Sequence, residues 1–143
     1  MAADDKLPTG EYTAKIVDVD ISENVRFGNY IADVYKPVYS IIRNDNTELN
    51  GMEVKDNGVF KYKDISGHMF DRKKNWGYAR FLKLMKLYDT SSRTTEPITK
   101  ENIIFSTVGI TVFIRSFTNS FSSYVSYPVA RLDKLIVKGD FPF

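Results

Sequence analysis

Apolar and polar residues alternate along most of this chain, and the period becomes helical only once. The stretch EYTAKIVDVDIS (Glu11–Ser22) follows the breaker Pro8-Thr9-Gly10, alternates and is rich in β-branched residues, so it predicts a strand. Its apolar phase shifts midway, from Tyr12, Ala14 and Ile16 to Val17, Val19 and Ile21. Such a shift turns side chains to the opposite face, so a bulge or sharp bend is expected, as in a strand serving both sides of a small barrel. After the loop ENVRFGN, YIADVYKPVYSIIR (Tyr30–Arg43) predicts a second strand. One parity carries Ala32, Val34, Val38 and Ile42 and is expected to face the core. The other carries Tyr35, Tyr39 and Arg43, an aromatic and basic face. Pro37 lacks a backbone donor, which predicts an edge position or a bulge. NDNTELNG is a turn cluster, and GVFKYKDI (Gly58–Ile65) predicts a third strand after the Asn57-Gly58 turn signal.

In NWGYARFLKLMKLYD (Asn75–Asp89) the spacing of Tyr78, Phe81, Leu82 and Met85 predicts a helix, with Asn75 as its N-cap. Leu84, Leu87 and Tyr88 widen the apolar stripe, so this helix is expected to close off a core. TSSRTTEPITKEN reads as a polar connector. IIFSTVGITVFIRSF (Ile103–Phe117) predicts the longest strand, with Val108, Ile110, Val112 and Ile114 on one face and Thr111, Phe113, Arg115 and Phe117 on the other. TNS then turns the chain into FSSYVSYPVARLDKLIV, a fifth strand with a short C-terminal segment. Five strands with aromatic faces do not make a stable open sheet in water, but they can close into a small barrel plugged by the helix. The order strand-strand-strand-helix-strand-strand resembles the OB-fold. The expected fold is therefore all-β with one helix, a five-stranded OB-fold barrel occupying residues 1–138 as one domain.

Composition narrows the chemistry. At 143 residues the chain can bury a substantial core without cross-links, and with no cysteine it has neither disulfides nor a Cys-based zinc site. The start MAADDKLPTG lacks the apolar region of a secretory signal, and no apolar run approaches the roughly 20 residues of a membrane helix. The expectation is a soluble cytoplasmic protein without a membrane partner. Net charge is only +2, but it is unevenly spread. Met1–Glu23 carries six acids against Lys6 and Lys15, whereas Phe60–Lys86 carries eight bases against Asp64 and Asp71. A local basic zone in a nearly neutral chain is an electrostatic footprint for a polyanion; a solvated face with balanced charges is the alternative.

Catalytic signatures are missing: the sequence has no G-x-x-x-x-G-K-[ST], no G-x-G-x-x-G and no G-x-S-x-G. His68, the single histidine, reads as a solvated loop residue, since nothing in the sequence supplies it with a fixed partner. Asp18, Asp20 and Glu23 could hold Mg²⁺ in a nuclease, but no water-orienting base or further ligand accompanies them, and they read as solvent-facing. No cofactor and no enzymatic activity are expected. The stronger pattern pairs rings with bases: a basic groove tracks phosphates while bases stack on aromatic side chains. The candidate DNA-binding residues are Arg26, Phe27, Tyr35, Tyr39, Arg43, Phe60, Lys61, Tyr62, Lys63, Arg72, Lys73, Lys74, Trp76, Phe113, Arg115 and Phe117.

The chain closes on GDFPF, Gly139 to Phe143. Asp140, Phe141, Pro142 and Phe143 are similar to the terminal tip of bacterial single-stranded-DNA-binding proteins, with Phe141 in place of the usual isoleucine. That family's tip carries more acids than Asp140 alone and follows a long linker. The body looks more like small phage-encoded single-stranded-DNA-binding proteins. The resemblance implies a viral protein of replication, recombination or repair, acting in the host cytoplasm. It also implies that residues 139–143 dock replication or recombination proteins, the last phenylalanine entering an apolar pocket. The leading expectation is a non-catalytic, low-specificity binder of single-stranded DNA. A protein-interaction or virion structural β-barrel is the alternative, and homo-oligomerisation is left open.

Overall fold

A computed structural model describes residues 7–28, 30–64, 75–89, 91–92, 94–118 and 124–139. Among them the elements run β1 (Gly10–Phe27), β2 (Tyr30–Ile42), β3 (Glu53–Lys55), β4 (Val59–Asp64), α1 (Trp76–Leu84), β5 (Tyr88–Asp89), β6 (Thr94–Thr95), α2 (Lys100–Ile103), β7 (Thr107–Thr118) and β8 (Tyr124–Val137). Six strands form one antiparallel sheet in the order β3-β2-β1-β7-β8, with β4 also paired to β2. β5 and β6 form a separate ribbon. The expected mostly-β class with one substantial helix is present, but the sheet does not close into a barrel. Its far edges meet at a single parallel bridge, Asp56 with Ala130, where the Asn57 amide donates to the Ala130 carbonyl at 2.8 Å. No described helix is long and apolar enough to cross a membrane.

Local chemistry explains where the elements depart from the alternation. The phase change in β1 is a register shift between Ile16 and Asp18, and a second shift between Ser22 and Val25 contains Asn24 at φ 55°. The third predicted strand, Gly58–Ile65, corresponds to β4, and the short β3 before it carried no strand signal; both pair with β2 and are separated by the turn at Asp56–Gly58. Pro37 sits opposite that break. Its carbonyl accepts the Asp56 amide at 2.9 Å, so its missing N–H falls on the side where β2 changes partners. Pro37 thus lies inside the sheet, at an interruption of the ladder, rather than at an edge. The turn requires glycine at position 58: φ is +123°, and a Cβ there would meet the Phe60 ring at 2.6 Å.

Asn75 does not cap α1 with its side chain. Its Oδ1 instead accepts the Tyr62 amide at 2.6 Å and its Nδ2 donates to the Tyr62 carbonyl at 3.2 Å, tying the helix start to β4. The helix ends at Leu84, short of Asp89, because Lys86 turns left-handed at φ 57° and Tyr88 enters β5. β7 begins at Thr107, since Ile103 belongs to α2 and Phe105 also has a positive φ of 66°. The core lies between the sheet and α1, where Ile16, Ile41, Ile110 and Leu132 meet Phe81 and Met85. Each such side chain contributes roughly 1.5–3 kcal/mol on burial.

Candidate nucleic-acid interface

β1 and β7 pair only from Gly10–Lys15 to Thr107–Val112, and beyond that point their pairing ends. β1 continues as an arm with β2 and β4, while β7 continues as a second arm with β8. Between the arms lies a concavity of about 380 Å³. Ser22, Val25, Phe27, Val34, Lys36 and Phe60 line it from the first arm, and Arg115 and Tyr127 from the second. A second concavity of about 480 Å³ continues from it through shared Lys36, Asn57, Arg115 and Tyr127, and adds Lys55, Pro128 and Val129. A third, of about 250 Å³, holds Trp76 and Arg80 of α1 with Phe113 and Arg131. All three meet at Asn57.

Strand register sorts the candidate rings. Val34 opposes Phe60, Ala32 opposes Tyr62, and Phe27 opposes Tyr30, so these side chains share one face. Phe27, Tyr30, Phe60 and Tyr62 form a partly exposed cluster there, with Phe27–Phe60 centroids 5.8 Å apart and Phe60–Tyr62 stacked at 5.7 Å. Lys61 and Lys63 project to the opposite face. The Lys61 Nζ lies 5.6 Å from the centre of the Tyr78 ring. Lys63 is committed to Asn24 Oδ1 at 2.7 Å and Asp33 Oδ1 at 3.0 Å, a pair largely withdrawn from solvent. Period-2 geometry thus separates the stretch Phe60–Lys63 into ring-bearing and lysine-bearing sides. Arg26, opposite Ile31, falls on the lysine side.

Two tyrosines depart from the expected surface role. Tyr35 is half-buried and stacks on Tyr78 of α1, with centroids 6.3 Å apart, and burial pushes its hydroxyl up to about 12. Tyr39 is fully buried and cannot offer a face to a base. Its hydroxyl donates to Asp56 Oδ2 at 2.6 Å, and burial holds its pKa well above the ordinary value. The inward parity of lower β2 is therefore Pro37, Tyr39 and Ile41, whereas Val38 and Ile42 are half-buried, the reverse of the assignment made on aliphatics alone. Arg43 follows β2 at φ 56° and borders a separate concavity with Asp45, Asp133 and Lys134.

On the second arm, Arg115 Nη1 donates to Asn57 Oδ1 at 2.7 Å. Trp76 is 68% exposed. Phe117 belongs to β7 by its backbone, opposite Val125. His68, Arg72, Lys73, Lys74 and the tip residues Asp140, Phe141, Pro142 and Phe143 lie outside the described residues. Two of the three acids considered for a metal pair with lysines: Asp20 Oδ2 lies 2.8 Å from Lys55 Nζ, which holds its carboxyl below the usual range, and Asp18 lies 3.7 Å from Lys100. Among the described residues no group of His, Cys, Asp and Glu is placed to hold a metal.

Several lining residues escaped the sequence reading. Arg80 lies one turn after Trp76, an i,i+4 relation legible on a helix. Tyr127 is the cross-strand partner of Arg115, and Lys36 continues the Ala32–Val34 parity beside Phe60. Asn57 carried only a turn signal and Asp56 none. Asp56 is buried, and its Oδ1 accepts the Gly58 amide at 2.8 Å. Burial raises its carboxyl to about 6 despite those hydrogen bonds and the nearby Arg80 and Lys36 charges. Compared with known protein families, curated proteins and solved structures, the chain matches none.

Proposed function

We propose that this protein binds single-stranded DNA with little sequence preference, protecting it during replication, recombination or repair. One observation carries this reading: three confluent concavities, meeting at Asn57, are lined both by cations (Lys36, Arg80, Arg115, Arg131) and by rings (Phe27, Phe60, Trp76, Phe113, Tyr127). Cations along such a track neutralise phosphates, and ring faces accept unpaired bases of any sequence. A duplex keeps its bases stacked inside, so it can use the cations but not the rings. Asp20 and Glu53 also border the track, and Arg131 pairs with Asp133 at 3.2 Å, which limits the charge to a modest excess.

The architecture is compatible with an incompletely closed OB-fold. β3 and β4 together would supply its third strand, β7 and β8 its last two, and the Asp56–Ala130 bridge its seam. The two arms then correspond to the hairpins that flank the binding face in that fold. Residues 140–143 serve as a docking segment for another protein of the same process.

The test is a titration with oligo-dT at two salt concentrations, read by fluorescence of Trp76, the only tryptophan. Quenching is expected, with affinity falling steeply as salt rises and duplex of equal length binding more weakly. No binding at low salt, or equal affinity for duplex, rejects the reading.

A further inference from the structure

Beneath the meeting point of the three concavities lies the Asp56 carboxylate, which lines two of them while only 6% exposed. It also stands at the seam of the sheet, with its amide bonded to the Pro37 carbonyl and its residue bridged to Ala130. From β2 come the Tyr39 hydroxyl and the Lys36 charge, from α1 the Arg80 charge, and from the turn the Gly58 amide. β8 presents uncharged Ala130 opposite it, and Asp133 of the same strand bears on Tyr39. Arg131 shares one concavity with Asp56, while Glu53 and Lys55 of β3 and Arg115 of β7 share the other.

We propose that Asp56 links strand binding to proton uptake, a polyanion seated against Lys36 and Arg80 being bound together with one solvent proton on the Asp56 carboxyl. The proposal rests on the single-strand reading above. Lys36 and Arg80 partly offset the charge of Asp56. Phosphates arriving at those cations neutralise them and add negative charge above a carboxylate that burial has already removed from solvent. Both effects favour the protonated form, and water cannot screen them well. The unliganded carboxyl titrates at about 6, so the response falls in a range where small pH changes matter. Linkage is reciprocal: if binding promotes protonation, lowering pH must strengthen binding to the same extent. Only a proton equilibrium is involved, and no bond in the strand changes.

Calorimetric titration of the full chain with oligo-dT, in two buffers of different ionisation enthalpy, counts the protons directly. Net uptake of a fraction of one proton is expected near pH 6.5, with none near pH 8.5. Affinity should be about three- to tenfold tighter near pH 5.5 than near pH 8. Asp56→Asn should abolish both effects. Tyr39→Phe removes a hydrogen bond that favours the ionised form, so it should move the midpoint upward. His68→Gln removes the single histidine and should leave the uptake largely intact. Uptake that survives Asp56→Asn, disappears with His68→Gln, or keeps its midpoint in Tyr39→Phe overturns the proposal. Binding without proton uptake at any pH also overturns it, while sparing the single-strand reading; no binding near pH 5.5 at low salt rejects both.

Discussion

Arg115 of β7 donates to the side chain of Asn57 at 2.7 Å, joining the second arm to the turn between β3 and β4. A guanidinium has five N–H groups, and this bond fixes its orientation while leaving others for the concavities it lines with Lys36 and Tyr127. Such a fork is suited to a phosphate. Arg115→Ala should weaken oligo-dT binding and reduce the slope of log K against log salt by about one. Arg115→Lys should restore the slope but not the full affinity, because a point charge cannot hold Asn57 and a phosphate in the same geometry. A salt series on the three proteins is the measurement, and an unchanged slope in Arg115→Ala removes this residue from the phosphate contacts.

Phe60 and Tyr35 lie on opposite faces of the same arm, which makes them a paired test of the stacking surface. Phe60 lines the cleft, whereas Tyr35 packs on Tyr78. Phe60→Ala should lower oligo-dT affinity by about 1–3 kcal/mol, the usual contribution of one base stack. Tyr35→Ala should leave affinity nearly unchanged and lower the thermal midpoint instead, since it opens a gap beneath α1. Parallel titrations and melts distinguish the two, and equal losses of affinity would move the binding face to the other side of the sheet.

The Tyr39–Asp56 pair predicts how stability varies with pH in the absence of ligand. Burial raises the carboxyl of Asp56 in the folded protein to about 6, above the ordinary value of 3.8. A raised carboxyl contributes stability that is fully present below the unfolded pKa and is lost as pH rises through the folded one. The stability of the wild type relative to Asp56→Asn should therefore fall between about pH 4 and pH 7, by up to about 3 kcal/mol. Tyr39→Phe leaves one carboxylate oxygen without its donor and should cost about 1–3 kcal/mol at neutral pH. Urea unfolding across that pH range checks both, and a flat difference between wild type and Asp56→Asn contradicts the assignment.

Alternation made the strands legible because period 2 survives wherever one face is buried, as it does for Ala14 and Ile16 of β1 or Val108, Ile110 and Val112 of β7. It failed in β2, where Tyr39 is a core residue whose hydroxyl is satisfied by Asp56, a partner 17 positions away. Only the fold brings those two together. The ring-and-cation pattern singled out Phe27, Phe60, Trp76, Phe113 and Arg115, and each of them lines at least one of the three concavities. It could not tell that Lys63 is spent on Asp33 and Asn24, because nothing local marks a cross-strand ion pair. Nor could it find the seam: Asp56 and Asn57 are polar residues by sequence and become central only because β8 passes beside them.

Gly139 limits what the residues after it can do. Its amide donates to Ser106 Oγ at 3.0 Å, beside the Lys138 Nζ that bonds the Met85 carbonyl at 2.8 Å. From Ser106 to Arg115 is nine residues of extended backbone, about 30 Å at 3.3 Å per residue. Residues 140–143 can span only about 14 Å. Four residues running on from that anchor are therefore expected not to displace a strand at Arg115 within one molecule. Removing residues 140–143 should leave oligo-dT affinity and its salt slope unchanged at low protein concentration. Gly139→Ala should loosen the anchor, because a Cβ there would lie 2.3 Å from the Phe105 carbonyl carbon and 2.4 Å from the Ser106 amide nitrogen. Protease sensitivity near the C-terminal end should rise in that variant while oligo-dT binding is retained. Tighter binding after removal of residues 140–143, at protein concentrations too low for self-association, would show that the segment does reach the cleft and that the anchor at Ser106 is not maintained.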